Sequence, residues 1–259
     1  MTDLGTDEVL LDVADHVATL TLNRPAKLNA VTPEMAGAIA EAVAWCDASD
    51  EVRAVVVTGT GRAFCAGSDI RELDRYATPW DFRNRPDYCD AIRAARTPTI
   101  AAVNGYALGG GLETALSCDI RIAAATATFA APEIKLGWIG GGGMTSLLAR
   151  AIGASNTALM IMTGDPIDAD QALRWHLVSE VTAPDDLLAR ARAIAATIAS
   201  RAPIAAETAK VNLRAAYSMP EDKALEYERD LQTICFATED AAEGRRAFTE
   251  KRPPVFRRR

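Results

Sequence analysis

The chain has 259 residues, 49% of them hydrophobic and 24% charged, a balance that excludes a disordered tail protein, a collagen-like repeat and a small disulfide scaffold. Its 28 basic residues against 35 acidic ones give a formal charge of −7, a field that repels a phosphate backbone and makes nucleic acid a poor partner. Five cysteines without a C-x-x-C pair argue against zinc-ribbon and thioredoxin chemistry and for reduced thiols in a cytoplasmic protein.

Residues 1–8 are acidic and lack the apolar core of a secretory signal, and no apolar run is long enough to span a membrane. Residues 9–13 and 17–22 alternate as the two strands of a hairpin turned at Asp15-His16. Thr32-Pro33-Glu34 then opens a helix with a capping hydroxyl, a proline at the first position and an acid facing the dipole. Its apolar stripe is predicted to run through Met35, Ile39, Ala42, Val43 and Trp45. The β-branched run 52–58 reads as a buried strand, followed by the Gly-rich segment 59–67. Strand 99–103, the Gly-rich turn 104–111 and helix 112–118 partly repeat the pattern. Strand 120–124, a turn with Pro132, the glycines of 140–143 and a helix over 144–152 repeat it again. The recurrence predicts an α/β core of stacked ββα-like units. From residue 154 the chain is predicted mainly helical, with helices over 187–199, 204–217 and 220–236. The last of these carries Leu225, Leu231, Ile234 and Cys235 on one broad stripe. The terminal Arg257-Arg258-Arg259 reads as a solvated tail.

His16 in the hairpin turn, and His176 after Trp175 on an amphipathic helix, are too few for a Ser-His-Asp triad or a multi-histidine metal centre. Carboxylates, backbone amides or thiols must then carry any chemistry. Phosphate loops fail on spacing: Gly59-Thr60-Gly61 follows a strand, but Phe64 stands where the third glycine of a dinucleotide fingerprint belongs. Gly105, Gly109, Gly110 and Gly111 are also wrongly spaced, and no P-loop exists. A helix beginning at Gly109-Gly110-Gly111 instead presents unpaired N–H groups backed by the positive end of its dipole. Cys65-Ala66-Gly67-Ser68-Asp69 offers a second amide, and two such donors aimed at one oxygen make an oxyanion hole. Glu113 and Glu133 each sit beside a Gly-rich turn. Either can be read alone as an acid facing a helix N-terminus; together they suit an acid/base pair.

Phe64-Cys65-Ala66-Gly67-Ser68-Asp69-Ile70 and Asn104-Gly105-Tyr106-Ala107-Leu108-Gly109-Gly110-Gly111-Leu112-Glu113 resemble the enoyl-CoA hydratase/isomerase family, the crotonases. So do Arg24-Pro25-Ala26-Lys27-Leu28-Asn29-Ala30, Ala131-Pro132-Glu133-Ile134-Lys135-Leu136-Gly137 and Phe248-Thr249-Glu250-Lys251-Arg252. The likeness extends over residues 9–256 in the family's order and spacing. It implies an α/β fold, a crotonase-like spiral of repeated ββα units over residues 1–195 with a helical C-terminal trimerisation region over 196–259. It also implies an acyl-CoA substrate, a homotrimer or dimer of trimers, and no cofactor, coenzyme A being part of the substrate. On the family's pattern the amides of Ser68 and Gly110 bind the thioester oxygen, and Glu113 and Glu133 are the catalytic acids of a hydratase. Ala26, Lys27, Leu28, Ala66, Asp69, Ile70 and Arg71 would bind the substrate, Gly141 would lie near the catalytic water, and Phe248 and Lys251 would approach CoA, commonly in a neighbouring subunit.

The sequence departs from that pattern at Ala131, where a glutamine often stands, at residues 138–144, which usually carry a proline, and at Thr145-Ser146-Leu147. Residues 76–88, with Trp80, Phe82 and Tyr88, fall in the family's variable pocket-lining region. Both acids favour hydration of a 2-enoyl-CoA to 3-hydroxyacyl-CoA. The competing readings are double-bond isomerisation, dehydration of a hydroxyacyl-CoA, thioester hydrolysis, and non-catalytic binding of acyl-CoA or RNA, the last opposed by the net charge.

Overall fold

Strands with period-two patterning can bury one face or both, and the central strands here bury both. The computed structural model describes residues 4–259, so the first three residues of the acidic N-terminal stretch lie outside the described residues. β1 (Val9–Ala14) and β2 (Val17–Leu22) form the expected hairpin, turned by Asp15 and His16 at φ 51° and 66°. α1 (Pro33–Ala48) follows, capped by the Thr32 hydroxyl accepting from Met35 N–H. Its buried stripe ends on Cys46; Trp45, expected there, is 38% exposed, because the residue after it is the one that faces the core.

Three successive segments then each give one strand to each of two sheets before turning into helix. The first contributes β3 (Ala54–Gly59) and β4 (Ala63–Cys65), then α2 (Pro79–Arg83) and α3 (Tyr88–Ala94). The second contributes β5 (Thr99–Val103), β6 (Tyr106–Leu108) and α4 (Gly110–Ser117). The third contributes β7 (Ile120–Ala124), β8 (Thr128–Ala130), a 3-10 turn over Pro132–Leu136 and α5 (Met144–Thr163). β6 falls inside the segment expected to be a turn, and α5 runs past its expected end, broken at Gly153 (φ 79°, ψ 163°). β9 (Ile167–Asp168), α6 (Ala169–Arg174) and β10 (Glu180–Thr182) complete the sheets. The larger sheet has the order β1-β2-β3-β5-β7-β10, parallel from β2 onward, and the smaller β4-β6-β8-β9. His176 lies beyond α6, at φ 63°, rather than on a helix.

Alternation splits the core. Val55, Val57, Ala101, Val103 and Ala123 face α1 and the small sheet, whereas Ala54, Val56, Ile100, Ala102 and Ile122 face α7 (Leu187–Ala199). α7 meets them with Leu187 and then Ala191, Ala195 and Ala199, one small residue per turn after the first, so helix and sheet approach closely there.

α8 (Pro203–Ala215), α9 (Glu221–Phe236) and α10 (Glu239–Glu250) follow. α9 buries no residue of its own, and Leu225 and Ile234 of its predicted stripe are exposed. α10 was not legible as an element, having few apolar residues. The C-terminal tail is held through its backbone and the Arg258 side chain, while Arg257 and Arg259 are exposed as expected of a solvated tail. Asp240 accepts from the Arg257 and Arg258 amides at 2.7 and 2.8 Å, and the Arg258 guanidinium meets Asp50 at 2.7 Å and Glu207 at 3.1 Å. No described helix is long and apolar enough to cross a membrane.

Candidate active site

The site begins where β4 ends. Gly67 turns at φ 93°, its carbonyl accepts from Val31 N–H at 2.8 Å, and Asp69 N–H donates to Val31 O at 2.9 Å. That pattern leaves the intervening Ser68 amide without an acceptor among the described residues. The loop is pinned from beneath by Asn29, fully buried, whose Nδ2 donates to Thr60 O at 3.0 Å and Ala63 O at 2.8 Å. Asp69 caps the 3-10 turn Ile70–Arg75 through Arg71 N–H and pairs with Arg24 at 2.8 Å. The Arg24 hydrogen bond holds the Asp69 carboxyl below its ordinary range.

The second wall is the N-terminus of α4. Gly109, at φ 54° and ψ −126°, delivers the chain from β6 into the helix, and the Gly110 amide also has no acceptor among the described residues. The approach to the first loop is closer than a side chain permits. A Cβ on Gly111 would lie 1.9 Å from Cys65 O, and one on Gly110 would lie 2.4 Å from Tyr88 Oη and 3.4 Å from Ser68 N. Two free N–H groups thus stand side by side at a helix N-terminus, an arrangement suited to an oxygen that gains negative charge.

One turn into α4, Glu113 is 6% exposed, and its Oε1 accepts from Gly142 N–H at 2.7 Å and Met144 N–H at 3.0 Å. Met144 opens α5 and Gly142 lies two residues before it, and the pair of donors explains the glycine run. A Cβ on Gly140 or Gly142 would fall 2.8 or 2.7 Å from a Glu113 oxygen. Burial carries the Glu113 carboxyl up to about 7, opposed by the two amide hydrogen bonds and assisted by the charge of Glu133.

Glu133 comes from the 3-10 turn after Pro132. Burial raises its carboxyl too, and its Oε2 is buried without a hydrogen-bond partner. Both glutamates, Ser68 and Gly110 line one cavity of about 140 Å³, together with Ala66, Ile70, Gly141, Phe82 and Arg85. Among the described residues, no group of three His, Cys, Asp or Glu side chains is arranged to hold a metal.

Of the other residues singled out from the sequence, Ala26 and Lys27 sit exposed on the 3-10 turn Pro25–Lys27, and Leu28 O accepts from Ala66 N–H at 3.0 Å. Arg71 is exposed beside the cavity mouth residue Ile70. Phe248, 87% exposed, and Lys251, at the left-handed cap of α10, do not line this chain's cavity. Sequence reasoning missed the Gly142 and Met144 amides, although four consecutive glycines at 140–143 signalled a close approach, and it missed Arg85, which no motif marks.

Residues 12–259 match the family model for enoyl-CoA hydratase/isomerase. The chain is 42% identical to a probable enoyl-CoA hydratase of Mycobacterium tuberculosis, over 98% of this chain and 99% of that protein. It is 38% identical to the 2,3-dehydroadipyl-CoA hydratase of Escherichia coli, over 97% of this chain and 99% of that protein. A crystal structure of enoyl-CoA hydratase from Bacillus anthracis matches with a TM-score of 0.92 at 32% identity, over 98% of this chain and 100% of the other. The spiral α/β architecture expected from the sequence is therefore borne out, and the chain belongs to the enoyl-CoA hydratase/isomerase family.

Proposed function

We propose that the chain adds water across the double bond of a 2-enoyl-CoA thioester, with Glu113 and Glu133 as the acid/base pair and the Ser68 and Gly110 amides as the oxyanion hole. Hydration of an enoyl-CoA is the activity that the family and the hydratase relatives support. The observation that carries the mechanism is the convergence of two free amides and two buried carboxyls on one cavity.

The thioester oxygen accepts from both amides, which draws electron density from the conjugated double bond and leaves C3 open to attack. Glu113, whose anion the Gly142 and Met144 amides favour, takes a proton from water as the oxygen bonds to C3. The double-bond electron pair moves to the thioester oxygen, giving an enolate held by the amides. Glu133, whose carboxyl is shifted upward by burial, is assigned as the proton donor and delivers its proton to C2. One water has then added, with hydroxyl to C3 and hydrogen to C2, and return of the proton from Glu113 to Glu133 resets the pair. The reaction is redox-neutral and calls for no cofactor beyond the CoA of the substrate.

Ala26, Lys27, Leu28, Ala66, Asp69, Ile70 and Arg71 are read as the substrate path, and Gly141 as a neighbour of the water. Phe248 and Lys251 are read as contacts to CoA across a subunit boundary, which their exposure on α10 supports. Exposed Leu213, Tyr217, Leu225, Ile234 and Phe236 support a trimer, single or paired, built through residues 196–259 around cores formed by 1–195. Free thiols at all five cysteines support a cytoplasmic setting.

The test is the absorbance of the conjugated thioester of crotonyl-CoA. Wild type is expected to remove it, and Glu113→Gln and Glu133→Gln each to slow it by roughly 10²–10⁴-fold. A folded variant that retains the wild-type rate excludes its residue from the pair.

A further inference from the structure

The segment between β4 and α3 joins neither sheet, yet it supplies the far wall of the cavity through Leu73, Phe82 and Arg85. Three of its side chains form one stacked unit. Tyr76 and Phe82 meet edge to face at 5.6 Å, and the Arg85 guanidinium lies 3.9 Å over the Phe82 ring. Arg85 Nη1 also donates to Phe82 O at 2.7 Å. The head group is thus fixed from two directions before any ligand arrives, which removes most of the rotamer entropy that an arginine normally loses on binding.

Its electrostatic needs are not met to the same degree. Among the described residues its ion-pair partner is Asp87, at 3.9 Å from Nη2, beyond hydrogen-bond reach. The other Asp87 oxygen, Oδ1, accepts from Cys89 N–H at 2.8 Å as the cap of α3, which fixes the carboxylate at that distance. Nε and Nη2 therefore have no acceptor within hydrogen-bond distance among the described residues. Arg85 is also the one cation among the described residues lining either this cavity or the neighbouring one of about 180 Å³, and the two share Ser68, Leu73 and Arg85 as a common wall. A preorganised, under-paired guanidinium at the boundary of an acyl cavity is a receptor for a planar anion, and apolar neighbours strengthen that contact.

We infer that Arg85 selects a 2-enoyl-CoA whose acyl group ends in a second carboxylate, which the guanidinium grips across the wall shared by the two cavities. The inference rests on the hydratase reading above for its reaction and deepens it to a substrate class. A neutral straight-chain acyl group makes no use of Nε or Nη2, whereas a terminal carboxylate supplies the acceptors they lack.

The experiment compares the six-carbon pair trans-2-hexenoyl-CoA and trans-2-hexenedioyl-CoA with wild type, Arg85→Met and Arg85→Gln, folding being checked by circular dichroism. Wild type is expected to favour the dicarboxylic thioester in kcat/KM. Both variants should lower the ratio of the two kcat/KM values by about 10–100-fold, the scale of losing a charge-assisted pair. A wild type without the preference, or variants that keep it, overturns the inference. Calorimetry with the saturated analogues, hexanoyl-CoA and hexanedioyl-CoA, separates this from the reaction itself. If no enoyl-CoA is hydrated, the hydratase reading fails, and Arg85 stands or falls on whether tighter binding of hexanedioyl-CoA is lost in the variants.

Discussion

A carboxyl that titrates near 7 in the folded protein and near 4.5 in the unfolded chain makes stability depend on pH. Below about pH 4.5 Glu113 is protonated in both states and contributes no difference. As pH rises toward 7 the unfolded chain releases the proton while the folded one retains it. The folded state then pays for a buried charge, a loss that grows to about 3 kcal/mol above pH 7. Glutamine keeps an oxygen for the Gly142 and Met144 amides and removes the charge. Glu113→Gln is therefore expected to be more stable than wild type at pH 8 by up to about 3 kcal/mol, the gap shrinking as pH falls and closing below about pH 4.5, as read by urea unfolding across pH. A gap independent of pH sinks the burial argument. At this scale the sequence was eloquent about Glu113, Glu133, Ser68 and Gly110, because glycines and acids in fixed order form a motif. It was silent about Arg85 because a guanidinium acquires meaning only from what packs beside it, here Phe82 and a distant Asp87 contact.

Between elements, the important relation is that the N-termini of α4 and α5 converge on one pocket. The former exposes its first amide, and the latter directs its first amide, with that of Gly142 in the turn before it, onto Glu113. Gly142 is the hinge of this arrangement, since a Cβ there would stand 2.7 Å from Glu113 Oε2 and 3.3 Å from Cys89 Sγ. Gly142→Ala is expected to displace the carboxylate and lower kcat on crotonyl-CoA by roughly 10²-fold while the fold persists, measurable by steady-state kinetics beside circular dichroism. An unchanged kcat means that the carboxylate position tolerates the shift. The long elements were readable from period alone: β5, β7 and α7 have the boundaries that their apolar patterns predict. β6 was not, since its three residues follow Gly105, precede Gly109 and become a strand by pairing with β4 and β8. α10 was hidden for another reason: its buried residues include Asp240 and Glu243, so no hydrophobic stripe marks it.

Across the whole molecule, the C-terminal tail ties three regions together. Asp240 on α10 holds two tail amides, Arg53 donates to Phe256 O at 3.2 Å, and Arg258 bridges Asp50 and Glu207. Glu243 adds Arg252, the Val255 amide and Arg246, which hold its carboxyl well below the usual carboxylate range. Asp240 is 3% exposed, so Asp240→Ala leaves two N–H groups to be satisfied some other way and is expected to cost about 3 kcal/mol in denaturant unfolding, with catalysis per folded molecule preserved. A variant as stable as wild type shows the tail to be dispensable. The sequence could not reveal this clasp, because three arginines in a row look the same whether their partners are water or side chains two hundred positions away.

The placement of the pocket wall has a consequence for how such proteins diverge. Residues 70–88 contribute no strand to either sheet and no donor to either glutamate. The stretch that walls the cavity can drift, lengthen or be exchanged while the two free amides and the two buried carboxyls stay where the sheets and helix ends hold them. Selection on what is accepted and selection on how fast it turns over thus act on separable lengths of one gene, and new substrate ranges can arise without passing through inactive intermediates.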